Sequence, residues 1–173
     1  MLSLHTKLAH AADVPPGPMH DVLVLPYDAR ERCRQRARLA SGEEVALFLV
    51  RGTVLRDGDL LSGEGGRVVR VEAALEPTYV VRCRDATELA RCAFHLGNRH
   101  TQTQVGAGWL RIRVDPVLRE MVEGLGAEVG EELAKFEPEA GAYAGGHGHG
   151  HGPDSLLAPV PLRQKIHRPS DGA

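Results

Sequence analysis

Asp85-Ala86-Thr87-Glu88-Leu89-Ala90-Arg91-Cys92-Ala93-Phe94-His95-Leu96-Gly97-Asn98-Arg99 decides the architecture, because here a strand-like pattern gives way to a helical one. Leu89, Cys92, Ala93 and Leu96 recur at three- and four-residue intervals and share one helix face, while Asp85 stands where a carboxylate can accept the first free amides. Before it, Thr78 to Cys83 is rich in β-formers. After it come two short strands, Thr101 to Val105 and Leu110 to Val114, and then Asp115-Pro116, a helix start whose proline loses no hydrogen bond in the first turn. Val117, Leu118, Met121, Val122 and Leu125 form a second apolar stripe that Gly124 or Gly126 ends, and Ala127 to Phe136 holds a last strand. The order β-α-β-β-α-β predicts a ferredoxin-like sandwich over residues 77–136.

Working outward, residues 21–76 read as an all-β domain. Val22 to Pro26, Arg34 to Ala40, Glu44 to Val50, Thr53 to Leu55 and Arg67 to Ala74 are short alternating segments, punctuated by Ser41-Gly42, Asp57-Gly58 and Gly65-Gly66. Residues 1–20, with Pro15, Pro16, Gly17 and Pro18, are expected to be a flexible extension, with order beginning near Asp21. Residues 137–173 shift to Gly, Ala, Pro and His. Such a segment buries too little apolar area to offset its ordering entropy, so a disordered His-rich tail is expected. The whole is an α+β chain.

The 173 residues are 42% hydrophobic and 25% charged, which suits a soluble globular protein rather than a collagenous or wholly disordered one. A net charge of -2 and 4% aromatics speak against nucleic acid, which needs basic surface and stacking rings. No apolar run approaches a membrane span, and Met1 to His20 lacks the apolar core of a secretory signal. Three cysteines, Cys33, Cys83 and Cys92, without a paired framework suit a reducing compartment, so the cytoplasm is expected. No nucleophile elbow, phosphate loop or C-x-x-C pair is present, so the chain reads as a binding protein rather than an enzyme. Cys92 reads as core. Arg32, Arg34, Arg36 and Arg38 alternate as the wet face of a strand does, a simpler reading than a docking site.

Nine histidines against one Trp and three Cys are the compositional anomaly. Gly145-Gly146-His147-Gly148-His149-Gly150-His151-Gly152 sets an imidazole on every second residue of a freely rotating chain, a donor set that suits nickel, copper and zinc. His95 and His100 flank a helix end. Five residues at about 100° each separate them by about 140°, so one helix cannot easily aim both at one metal. His100 continues the row of Leu89, Ala93 and Leu96. It is either a hydrogen-bonded structural histidine or a ligand whose partners come from elsewhere, a symmetry mate being the economical source.

Gly42-Glu43-Glu44-Val45-Ala46-Leu47-Phe48-Leu49, Arg51-Gly52-Thr53-Val54-Leu55-Arg56-Asp57-Gly58-Asp59 and His95-Leu96-Gly97-Asn98-Arg99-His100 closely resemble the urease accessory protein UreE family. The resemblance runs from about residue 21 to 136, with the tail similar only in kind. It implies a homodimeric metallochaperone that delivers Ni(II), with Zn(II) or Cu(II) as alternatives, for assembly of the urease metallocentre. The implied partners are the accessory GTPase UreG and the urease apoprotein. It implies partner docking by the β domain, and dimerisation and metal binding by residues 77–136. It further implies that His100 is a ligand supplied by both subunits, with His147, His149, His151 and His167 adding donors. His95 matches a histidine of some members. At Val114-Asp115-Pro116, where some members carry two histidines, this chain carries none. A protein that buffers nickel, copper or zinc without a dedicated client, or a plain interaction module, are the competing functions. Imidazole ligation should fail as pH falls through the range near 6.5.

Overall fold

Leu2 and Leu4 alternate with Ser3 and His5, and that two-residue period makes the first residues a strand with one buried face. A computed structural model describes residues 1–8 and 21–140. Strand β1, Leu2–Lys7, lies inside a six-stranded sheet, parallel to β4 (Glu44–Phe48) and antiparallel to β5 (Leu60–Gly63). Strands β2 (Asp21–Leu25), β3 (Arg34–Arg38) and β6 (Val68–Ala73) complete the order β2-β6-β5-β1-β4-β3. The expected flexible extension over 1–20 is therefore corrected for Leu2–Lys7; residues 9–20 lie outside the described residues. Physically, Leu2 and Leu4 join Leu23, Val45, Leu47, Leu61 and Val69 in one core, and that burial outweighs the cost of ordering a terminus.

Two further expectations in this region change. Thr53 to Leu55 is not a strand, although Leu55 is fully buried and its N–H bonds the carbonyl of Arg30 at 2.9 Å. A short helix α1, Tyr27–Arg30, follows β2 and carries the wholly buried Arg30.

The second half follows the expected order. Strand β7 (Leu75–Arg82), helix α2 (Ala86–Gly97), strands β8 (Gln104–Gly106) and β9 (Trp109–Arg113), helix α3 (Pro116–Gly124) and strand β10 (Glu128–Lys135) build a four-stranded antiparallel sheet in the order β10-β7-β9-β8. This is the split βαβ arrangement, a sheet whose helices cover one face. Tyr79, Val81, Leu110 and Ile112 meet Cys92, Leu96 and Val122 in its core. Cys92 is core, as expected, and burial pushes the neighbouring Cys83 thiol up to about 11.

Both caps behave as the sequence implies. Asp85 accepts the Glu88 N–H at 2.8 Å, and Asp115 accepts those of Val117 and Leu118 at 2.9 and 3.1 Å. Glu88 reaches back to the Arg84 N–H at 2.7 Å, and the Arg84 guanidinium beside it holds its carboxyl below the usual range.

Residues beyond β10 do not leave the body at once, which corrects the tail boundary at 137. The Glu137 carboxylate takes Arg30 and Arg56, the Glu137 N–H bonds Gln104 at 3.0 Å, and the Glu139 N–H bonds Thr103 at 2.9 Å. Arg30 also donates to the carbonyls of Phe136 and Leu55 and lies 5.1 Å from the Tyr27 ring. Phe136, fully buried, packs edge-on against Tyr27 at 5.4 Å. This clasp joins the two sheets within the unit Met1–Glu139.

Candidate metal centre

Helix α2 ends at Gly97, earlier than the sequence pattern implies, and the way it ends places His100. The His100 N–H bonds Gly97 at 2.9 Å and the Thr101 N–H bonds Leu96 at 3.2 Å. These two bonds, spanning three and five residues, are those of a Schellman motif with His100 at the position usually given to glycine. His100 stands at φ +53°, and no other non-glycine among the described residues has a positive φ. A side chain there costs about 1 kcal/mol or more against glycine, and such cost concentrates at functional positions.

His100 therefore does not continue the apolar row of α2. The left-handed turn swings the backbone off the helix axis, and the imidazole is exposed instead of packed beneath the helix. The 140° helical separation from His95 no longer applies, because only His95 is helical. His95 is half-buried on α2 and meets the Phe94 ring edge-on at 5.4 Å.

His100 lines an open hollow of about 530 Å³ together with Gln102, Arg113, Asp115 and Leu118. Arg99 bonds the Met121 sulfur at 2.7 Å, which ties the end of α2 to α3. Arg113 is held by Asp28 and by Gln102. Asp115 brings a carboxylate to the same hollow, although one of its oxygens is engaged in capping α3. The sequence marks Asp115 only as a cap; that it lines the same hollow as His100 depends on where β9 runs relative to the end of α2, which spacing does not reveal.

Among the described residues no three of His, Cys, Asp and Glu converge as a metal cage. His100 and Asp115 are thus two potential donors on an open surface, fewer than a closed four-coordinate site requires. Phe94, Val114 and Val117, on the segments flanking this region, are about half to two-thirds exposed (64%, 48% and 67%). His147, His149, His151 and His167 lie outside the described residues, as do His10 and His20. His5 lies on β1, where it lines a separate hollow of about 630 Å³ with Lys7, Leu49 and Val50. No helix among the described residues is long and apolar enough to cross a membrane.

Comparison with known proteins follows the two sheets. A family model described as the N-terminal domain of UreE urease accessory protein matches residues 4–74, and one described as its C-terminal domain matches residues 76–168. The urease accessory protein UreE of Janthinobacterium sp. (strain Marseille) is 62% identical over 181 aligned positions, covering 100% of this chain and 99% of that protein. That of Nitrosospira multiformis is 59% identical over 177 positions, covering 99% and 98%. That of Burkholderia thailandensis is 57% identical over 125 positions, covering 72% of this chain and 59% of its own.

Proposed function

Since the chain belongs to the UreE family of urease accessory proteins, we propose that it is a cytoplasmic metallochaperone that carries Ni(II) to the urease apoprotein. It is an accessory factor, distinct from urease itself. The observation that carries the reading is His100, an exposed imidazole held in a left-handed backbone conformation where glycine would be less strained, on the wall of an open hollow. A strained residue persists where its side chain is needed.

One protomer brings too few donors. In this reading two chains meet about a two-fold axis so that the His100 imidazoles face one ion, and exposed Phe94, Val114 and Val117 supply apolar area for that contact. His147, His149, His151 and His167 add donors or raise the number of ions carried, and His95 serves as an accessory. The six-stranded sheet docks the partners, which include the GTPase UreG. Zinc and copper compete at such donors, because divalent affinity follows a common order in which copper exceeds nickel.

The test is isothermal titration of the full-length protein with nickel. The proposal expects one tight ion per two chains, lost in His100→Ala without loss of association. Deleting residues 145–152 should leave the tight site and reduce only the number of weaker ions. A pure buffer would lose most of its capacity with that segment.

A further inference from the structure

Strand β3 is the last strand of its sheet, and over Arg34–Arg38 no described strand pairs with its outer side; just past it the outward Ala40 N–H bonds the carbonyl of Val22 on β2 at 2.8 Å, so the edge is open along β3 itself and closed beyond it. Cys33 and Leu39 turn their backbone groups inward, since the Leu49 N–H bonds the carbonyl of Cys33 at 2.7 Å and the Leu39 N–H bonds that of Glu43 at 2.9 Å. The β3–β4 register runs without a break from Arg34 opposite Phe48 to Arg38 opposite Glu44. Backbone direction alternates along a strand, so Gln35 and Ala37 also bond inward, whereas Arg34, Arg36 and Arg38 present both N–H and C=O to the open edge.

The side chains of those three arginines share the face turned away from the core, and all are exposed. Arg38 pairs with Glu44 at 3.0 Å; neither Arg34 nor Arg36 has a carboxylate or hydrogen-bond partner among the described residues. Phe48, opposite Arg34, is 53% exposed, and Val50 beyond it is 78% exposed. A chain with net charge -2 thus concentrates unpaired cations, free backbone groups and exposed apolar side chains along one edge.

We propose that this edge receives an extended acidic segment of a partner protein, which adds to the sheet as a seventh strand antiparallel or parallel to β3. This deepens the partner-docking role proposed above for the six-stranded sheet. The fit is one of spacing and charge. Alternate side chains of an added strand repeat about every 7 Å, as Arg34, Arg36 and Arg38 do, so acidic residues at every second position meet successive guanidiniums. The outward N–H and C=O groups set the register, and Phe48 with Val50 covers apolar residues of the guest. A phosphate backbone offers the same charge but neither a strand's donors nor its alternation. Charged edge strands also serve to repel other edges, and that simpler role makes a contrasting prediction.

The probe is an end-blocked ten-residue peptide alternating glutamate and valine, titrated by fluorescence anisotropy and by amide shifts in the full-length protein. Binding is expected with the largest shifts at Arg34, Arg36 and Arg38. The double variant Arg34→Glu/Arg36→Glu should weaken it by roughly tenfold or more. Arg36→Pro removes an outward N–H without touching the β3–β4 ladder, and it should bind more weakly than Arg36→Gln, which loses only the charge. Circular dichroism checks that each variant folds, and the double variant decides the matter if the proline variant does not.

Absence of peptide binding, or binding indifferent to the double variant, overturns the proposal. So does equal binding of a ten-nucleotide single-stranded DNA that displaces the peptide, and so does self-association of an Arg34→Gln/Arg36→Gln variant without any peptide binding. Nickel is titrated in the same samples. Intact nickel binding without peptide binding defeats the strand site alone, and peptide binding in a protein that takes up no nickel defeats the nickel reading alone.

Discussion

Leu96 accepts the Thr101 N–H at 3.2 Å across a turn that closes helix α2, and the residue inside that turn, His100, is left at φ +53°. The helix ends in the manner of a glycine-capped helix but without the glycine. Stability and metal binding should therefore respond in opposite directions to one substitution. His100→Gly is expected to raise unfolding stability by about 1 kcal/mol, because glycine adopts the left-handed region without steric cost, and to abolish the tight nickel binding proposed for His100. His100→Ala keeps the strain and should gain little. Urea titration of the three proteins checks this; a His100→Gly variant no more stable than His100→Ala would remove the strain argument.

Arg30 makes a second prediction. It is wholly buried and joins the carbonyls of Leu55 and Phe136 to the Glu137 carboxylate. Arg30→Ala takes the buried donor from the carbonyls of Leu55 and Phe136 and leaves the Glu137 carboxylate to Arg56 and the Asp57 N–H, and should cost about 3 kcal/mol. Lysine, with a point charge instead of a planar fork, should recover only part. Hydrogen exchange should report faster opening of residues 136–139, with the strands of both sheets less affected. Uniform loosening throughout would count against a clasp local to the sheet junction.

The pH dependence of stability has an identifiable source at the same junction. Asp57 accepts the Ala73 N–H at 2.8 Å and the Lys135 ammonium at 3.1 Å. The Ala73 amide first and Lys135 second hold its carboxyl below the ordinary 3.8, while Asp57 in turn raises Lys135 above 10.5. A depressed carboxyl contributes stability above its unfolded value and loses it as pH falls through the folded one. The raised lysine contributes below its unfolded value and loses that as pH rises through the folded one. Asp57→Asn should thus flatten the fall in melting temperature below about pH 4. Thermal scans from acid to neutral pH compare the slopes, and equal slopes would exclude Asp57 as a source.

Gly106 lies under the Trp109 indole. A Cβ at residue 106 would stand 2.0 Å from the ring, so Gly106→Ala must displace Trp109 and with it Arg111, whose guanidinium lies 4.7 Å from the indole. A loss of about 1–3 kcal/mol is expected, with a shift in tryptophan fluorescence. Unchanged emission would show that the ring does not rest on this glycine.

Local signals gave the second domain almost completely. The capping aspartates Asp85 and Asp115, the stripe of Leu89, Cys92 and Leu96 and the proline after Asp115 are short-range features, and each element they mark is present. What failed was whatever depends on distant pairing. Leu2 and Leu4 alternate visibly, yet the Pro-rich stretch after them masks the signal, and only partners at Val45 and Leu47 make them a strand. Leu60–Gly63 was missed for the same reason. The clasp between Arg30 and Phe136 spans more than a hundred residues, and no periodicity encodes it. The sequence context of His100 marks it, but its left-handed conformation is not legible there, because helical periodicity holds only as far as Gly97, where the helix stops. The tail histidines lie outside the described residues.

His100 from two chains is proposed to hold one nickel ion. Nickel titration of the full-length protein beside His100→Ala, with the mass of each measured by light scattering before and after metal, addresses it most directly. One tight ion per two wild-type chains is expected, and a variant of unchanged association state in which that ion is lost and only weaker binding persists. A His100→Ala protein that still binds one nickel per two chains with undiminished affinity would contradict it.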